Sequence, residues 1–144
     1  MNDTTQNLNY GATITRLSLG TILLAHGLLK IFVFTIPGTV GFFESLGLPA
    51  IVAYLTIFGE VAGGAALIAG IYTRLTALLS VPILLGATWA HLGNGWVFSN
   101  EGGGWEFPAL LVVMAVAVAV QGGGAFAIRK LPVIDTFIPQ PLKA

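Results

Sequence analysis

Residues 50–71 read AIVAYLTIFGEVAGGAALIAGI, twenty-two nearly uninterrupted apolar or small positions around a single charge, Glu60. As an α-helix this stretch rises about 33 Å, enough to cross a hydrocarbon core of ~30 Å. Lipid offers the backbone no hydrogen bonds, so a helix is the form such a segment takes. The run is continuous rather than alternating, which excludes a half-buried strand. Working outward, three further segments meet the same criterion: Ile14–Phe34, Leu75–Leu92 and Phe107–Ala127. The link Tyr72-Thr73-Arg74 is so short that the second and third spans must be antiparallel neighbours. The expected fold is all-α, a single antiparallel membrane four-helix bundle.

Composition agrees. Of 144 residues, 56% are hydrophobic and 8% are charged, against about 25% charged in an ordinary soluble domain. So few charges cannot solvate the outside of a globule, and lipid is the expected solvent for most of its surface. The net charge is zero, which leaves no basic field for nucleic acid. Cysteine is absent, so disulfides, thiolate metal sites, cysteine-held iron–sulfur clusters and c-type haem are excluded. The polar stretch from Met1 to Thr15, with no small-residue cleavage pattern after the first span, gives no expectation of a removable signal peptide.

Orientation follows from the basic residues. Arg16 opens the first span, Arg74 links the second to the third, and Arg129 and Lys130 close the fourth. These form an expected cytoplasmic girdle. The opposite loops, residues 35–49 and 93–106, hold Glu44, Glu101 and Glu106 but no Lys or Arg. The positive-inside bias therefore places both termini in the cytoplasm of a multi-pass protein of the bacterial inner membrane. Trp89, Trp96 and Trp105 fall near the outer boundary as an aromatic belt, and the two Gly- and aromatic-rich outer loops are expected at the interface or folded over the bundle. The tail Leu131–Ala144, broken by Pro132, Pro139 and Pro141, is expected on the cytoplasmic surface.

Four titratable side chains lie within the spans: His26, Lys30, Glu60 and His91. A charge at the bilayer centre costs at least ~2.5–3.5 kcal/mol, so such groups find partners or a polar cavity. Lys30 is fourteen residues from Arg16 and Glu60 fourteen from Arg74, which puts both roughly 21 Å from the basic end and at one depth. A Lys30–Glu60 ion pair is the natural expectation. It admits a structural reading, a proton-handling or substrate-binding reading, and one in which Lys30 snorkels to lipid apart from Glu60. His26 shares a helix face with Lys30. His91 lies about 25 Å above Arg74, near Glu106 at the start of the fourth span. The two histidines then differ in depth by roughly 10 Å, which argues against a shared haem. Gly59, Gly63, Gly64 and Gly70, spaced for close approach, are expected to pack helices. The run Gln121-Gly122-Gly123-Gly124 follows no strand and precedes no Gly-Lys-Ser/Thr, so it is no phosphate loop. No metal-ligand spacing and no self-sufficient catalytic constellation is present.

In order and spacing, Arg16-Leu17-x-Leu19-Gly20, His26-Gly27-x-x-Lys30, Phe42, Leu46-Gly47-Leu48-Pro49, Glu60-x-x-Gly63-Gly64, Gly70-x-x-Thr73-Arg74 and His91 resemble the DoxX family of integral membrane proteins over nearly the whole chain. Members commonly end the fourth helix with Gly-Pro-Gly followed by Ser and Asp. Here the run is Gly122-Gly123-Gly124-Ala125-Phe126-Ala127, so no role of that Ser and Asp carries over. The resemblance implies a four-helix inner-membrane protein whose relatives include subunits of an archaeal thiosulfate:quinone oxidoreductase and proteins linked to thiol and oxidative stress. By position it singles out His26, Lys30, Glu60, Arg74 and His91. Three functions follow as expectations. One is a redox-system subunit with quinone as its candidate cofactor and a soluble or membrane redox partner. Another is an assembly scaffold, alone or as a homo-oligomer, that recruits a soluble enzyme. The third is a small proton or weak-acid transporter.

Overall fold

The computed structural model describes residues 3–128 and 135–143. Its elements are helices α1 (Asp3–Phe32), α2 (Ile36–Ser45), α3 (Ala50–Ala69), α4 (Thr73–His91) and α5 (Glu106–Gln121), with short 3-10 turns at Leu92–Asn94, Asp135–Phe137 and Gln140–Leu142. No strand occurs among the described residues. Three of the helical segments are long and apolar enough to cross a membrane, residues 3–32, 50–69 and 73–94, whereas α5 is a shorter apolar helix of 16 residues. Large apolar side chains that would be a liability in water stand exposed along these helices, among them Leu55, Phe58, Leu79, Val113 and Val120. With the apolar composition, this marks a membrane protein.

The boundaries depart from expectation in four places, each for a local reason. The first helix begins at Asp3 rather than Ile14, because residues 3–13 contain no proline and a helix, once nucleated by the apolar run, propagates cheaply into polar sequence. At its other end α1 stops at Phe32, and a separate helix, α2, occupies the first outer loop. Thr35 caps α2, accepting the Gly38 amide at 3.3 Å, and a proline sits in its first turn. Both are ordinary start signals for a helix. The third difference is at α3, which ends at Ala69, two residues early. Gly70 takes a left-handed φ of 72°, its N–H bonds to the Leu67 carbonyl and that of Ile71 to the Ala66 carbonyl. That is the Schellman pattern. Finally, α5 stops at Gln121 because three consecutive glycines remove the side-chain packing that would hold a helix there.

Helix α1 packs on α3 and α4 on α5, and α3 joins the pairs by packing on α4. The first contact is glycine-mediated. A Cβ built on Gly64 would lie 2.5 Å from the Leu24 backbone N, and one on Gly27 would lie 2.6 Å from Val61 Cγ2. Gly20 meets Leu67 in the same way. Thus 20 faces 64–67 while 27 faces 60–61, so α1 and α3 run in opposite directions. Gly59 faces Ile83 of α4, and Gly63 touches Ser80 and Thr76 at ordinary van der Waals distance. Gly63 is therefore a loose contact, and the close approach depends on Gly64 with Gly20 and Gly27 of α1. Leu19, Leu23, Leu67, Ala77, Leu84, Leu111, Ala115 and Val118 form the buried core.

Arg16 does not belong to a solvent-facing girdle. It is 1% exposed. Its Nε donates to the Gly123 carbonyl at 3.0 Å, Nη1 to those of Leu67 and Ile68 at 2.5 and 2.7 Å, and Nη2 to that of Ala125 at 3.3 Å. The guanidinium so serves carbonyls in the last turn of α3, adding to the bond that Leu67 already accepts from the Gly70 amide, where the helix dipole also favours a cation. Arg74 is half-buried; Arg129 and Lys130 lie outside the described residues. The described part of the tail folds back onto the turn between α3 and α4, with Asp135 accepting from Tyr72 (3.3 Å) and Lys143 (2.9 Å).

Candidate functional site

The opposite end of the bundle from Arg16 holds the polar cluster. Lys30 and Glu60 lie on neighbouring helices held close by Gly27, where a Cβ would come within 3.1 Å of the Glu60 Cβ. Lys30 Nζ donates to Glu60 Oε1 at 2.8 Å and is also 2.8 Å from Oε2, though not at a hydrogen-bonding angle, so Oε2 lacks an aligned donor. The carboxylate is buried, with Glu60 6% exposed. A dehydrated ion pair of this kind can exchange a hydrogen bond with a polar group that enters beside it.

The two histidines are held alike. His26 Nδ1 lies 2.9 Å from the Ile22 carbonyl, and His91 Nδ1 lies 2.8 Å from the Ala87 carbonyl. A carbonyl only accepts, so each neutral ring carries its hydrogen on Nδ1 and turns a bare Nε2 away from its own helix. The His26 ring also lies against Phe107 of α5, with centroids 6.4 Å apart.

Two cavities flank this cluster, of about 720 and 550 Å³, and both are lined by His26, Lys30, Glu60, Ala87 and His91. Thus all four in-span titratable residues converge on one site, although a rise count along the helices separates the histidines in depth. The larger cavity is otherwise mainly apolar. Phe42 and Phe43 of α2 and Leu46 and Leu48 just beyond it contribute, with Leu29, Val52, Pro82 and Gly86. Helix α2 is fixed over it by Thr39, 4% exposed, whose hydroxyl donates to the Lys30 carbonyl at 3.2 Å. That carbonyl lies in the last turn of α1 and has no helical donor of its own. The smaller cavity is closed by Phe107, Pro108 and Leu111 of α5 and by Phe98, Gly103 and Gly104 of the loop between α4 and α5.

That loop folds back over the bundle end. Asn94 donates to the Gly102 and Gly103 carbonyls at 3.0 and 2.9 Å, and the Trp96 and Trp105 rings meet edge-on at 4.4 Å. Glu106 spends its carboxylate here, accepting the Phe98 amide at 2.8 Å. The expected Glu106–His91 contact is thus replaced by a loop cap. Among the described residues no group of three or more His, Asp or Glu converges as a metal-ion site would. Sequence reasoning missed Thr39 and the roof made by α2, although Thr35-Ile36-Pro37 carried the helix-start signal that would have found them.

Comparison with known proteins bears on this site. The chain is 29% identical over 123 residues to a Bacillus subtilis (strain 168) protein named "Putative oxidoreductase CatD", an alignment covering 85% of this chain and 87% of that protein. No solved structure matches. The DoxX family model matches residues 11–93, a segment that takes in His26, Lys30, Glu60, Arg74 and His91 and more than half of the molecule, and the chain belongs to the DoxX family.

Proposed function

We propose that this protein is the quinone-binding membrane subunit of a redox system in the bacterial inner membrane, where it crosses four times with both termini in the cytoplasm. The observation that carries the reading is the cavity of about 720 Å³, mainly apolar with Thr39, Thr56 and a polar patch formed by His26, Lys30, Glu60 and His91. Pockets of that size and lining take ligands with an apolar body and a small polar head. A quinone has that form, and it reaches such a site through the lipid. The name of the Bacillus subtilis relative supports an oxidoreductase context.

In this reading Glu60 and His26 take the two protons that a quinol releases on oxidation, while Lys30 neutralises the carboxylate or holds a ring oxygen. The two electrons leave to a redox partner, because a chain without cysteine has no thiol couple to receive them. That partner, soluble or membrane-bound, docks on this subunit; a second copy of the chain is a further candidate for the assembly.

The topology rests on charge and on backbone satisfaction. Arg74, Arg129 and Lys130 lie at one end in sequence, and Glu44, Glu101 and Glu106 at the other. The 16 residues of α5 rise only about 24 Å, but the non-helical turn that follows is tied into the protein. Its Ala125 amide donates to Thr13 Oγ1 at 2.8 Å and the Ile128 amide to the Ala69 carbonyl at 3.1 Å. Irregular backbone is tolerated at membrane depth when it is buried in protein in this way.

The test is thermal stability of the detergent-solubilised protein with and without a short-chain quinone. The quinone is expected to raise the melting temperature of wild type and to leave Glu60→Gln unmoved. Equal shifts in both, or none in either, would defeat the reading. Mass spectrometry of a mild-detergent preparation should find quinone and a stoichiometric protein partner.

A further inference from the structure

We propose that the larger cavity has a side mouth between α2 and α4, over Gly86, through which the ligand's chain passes into the bilayer. The site is thereby one for a head group carried on a long isoprenoid or alkyl chain. This rests on the quinone-class reading above and names the form of quinone that the cavity takes. The walls of the cavity are not equally closed. On the α3 side Val52 and Thr56 are half-buried and Glu60 is buried. Helix α2 packs on α3 and on α1, but no comparable packing joins it to α4. Both α2 and α4 line the cavity all the same, so the space between them is left unfilled. Lining residues that are also exposed stand at its two borders, Phe42 on α2 and Pro82, Gly86 and Trp89 on α4.

Depth decides what the mouth faces. Pro82, Gly86 and Trp89 are four and three residues apart, so they share one face of α4. They extend for about 10 Å along a helix long and apolar enough to span. An opening that runs down the flank of a spanning helix meets hydrocarbon, and Trp89 marks its outer edge as interfacial tryptophans do. Gly86 leaves the mouth open, since a Cβ there meets nothing within 4 Å. A chain gains no transfer energy on moving from lipid into an apolar mouth, because lipid tails are as apolar as leucine. The mouth therefore only has to give room. It admits a chain of any length, since what does not fit within about 720 Å³ stays in the bilayer. The smaller cavity gives no such exit, with α5 and the loop before it closing that side.

The experiment uses the full-length protein in lipid nanodiscs and two alkyl benzoquinone probes, one with a photoactivated diazirine on the ring and one with it in mid-chain. Labelled peptides are mapped by mass spectrometry, and only label suppressed by an excess of the parent quinone is counted. The chain probe is expected to mark residues 34–43 and 82–90, and the ring probe the residues around Glu60 and His91. Chain label on residues 98–111 or on any other segment, or no chain label beside a suppressible ring label, overturns the inference while the quinone site stands. If neither probe gives suppressible label, the proposed function falls with it. Gly86→Leu puts a side chain into the open space of the mouth and is expected to weaken suppression by the parent quinone about tenfold. Unchanged suppression in that variant would count against the mouth, and the wild-type map decides the matter even where the variant fails to fold.

Discussion

Separating Lys30 from Glu60 is the most direct perturbation of this fold. At the observed 2.8 Å, two unit charges attract by about 6 kcal/mol at an effective dielectric constant near 20. Dehydrating both ions offsets several kcal/mol per ion, so the pair as a whole adds little over two well-packed apolar side chains. The single variants are another matter, since each leaves a charge buried alone. Lys30→Met and Glu60→Leu are each predicted to cost about 3–5 kcal/mol, whereas the double variant should lie within about 2 kcal/mol of wild type. The assay is reversible unfolding in mixed micelles, followed through the fluorescence of Trp89, Trp96 and Trp105. Additive losses in the double variant, or a loss below about 1 kcal/mol in either single, would refute this account of the pair.

Four more predictions concern packing and topology. Gly64→Val places a Cβ 2.5 Å from the Leu24 backbone N and should destabilise by about 1–3 kcal/mol. Gly86, where a Cβ meets nothing within 4 Å, should behave oppositely in the same unfolding assay. There Gly86→Ala is expected to stabilise by about 0.5–1 kcal/mol, and Gly86→Phe to fill the larger cavity and abolish quinone-dependent thermal stabilisation. Arg16→Met should cost at least about 3 kcal/mol by stripping the carbonyls at residues 67, 68, 123 and 125, with Arg16→Lys recovering little because one ammonium cannot serve so spread a set. Reporter fusions to the two termini should both signal from the cytoplasm; a signal from opposite compartments would sink the four-span topology.

What could be read ahead of the structure was whatever depends on period and depth. Three long apolar helices follow from continuous hydropathy. Counting rise from Arg16 and Arg74 brings Lys30 level with Glu60, and the two lie 2.8 Å apart. What could not be read was whatever depends on three-dimensional neighbours. Arg16 looked like a topology signal because its carbonyl acceptors are contributed by residues 51 to 109 positions away. Gly20 and Gly27 could be quoted as part of a motif without showing that they face Gly64 and Val61. The rise count kept His91 apart from His26, since it treats a bundle as straight and ignores loops that fold back. Helix α2 is short and lies in a loop, so a search for spans passed over its start signal.

The buried arginine has a consequence for how the chain is made. Arg16 is synthesised more than a hundred residues before two of its four acceptors, Gly123 and Ala125. While those residues are still untranslated the guanidinium has only the Leu67 and Ile68 carbonyls of α3 to bond. The bundle consequently latches from tail to head, as the last turn arrives to claim the first helix. Nascent chains stopped short of Gly123 should leave the translocon inserted yet unlatched, and should be the forms that membrane quality-control proteases remove first.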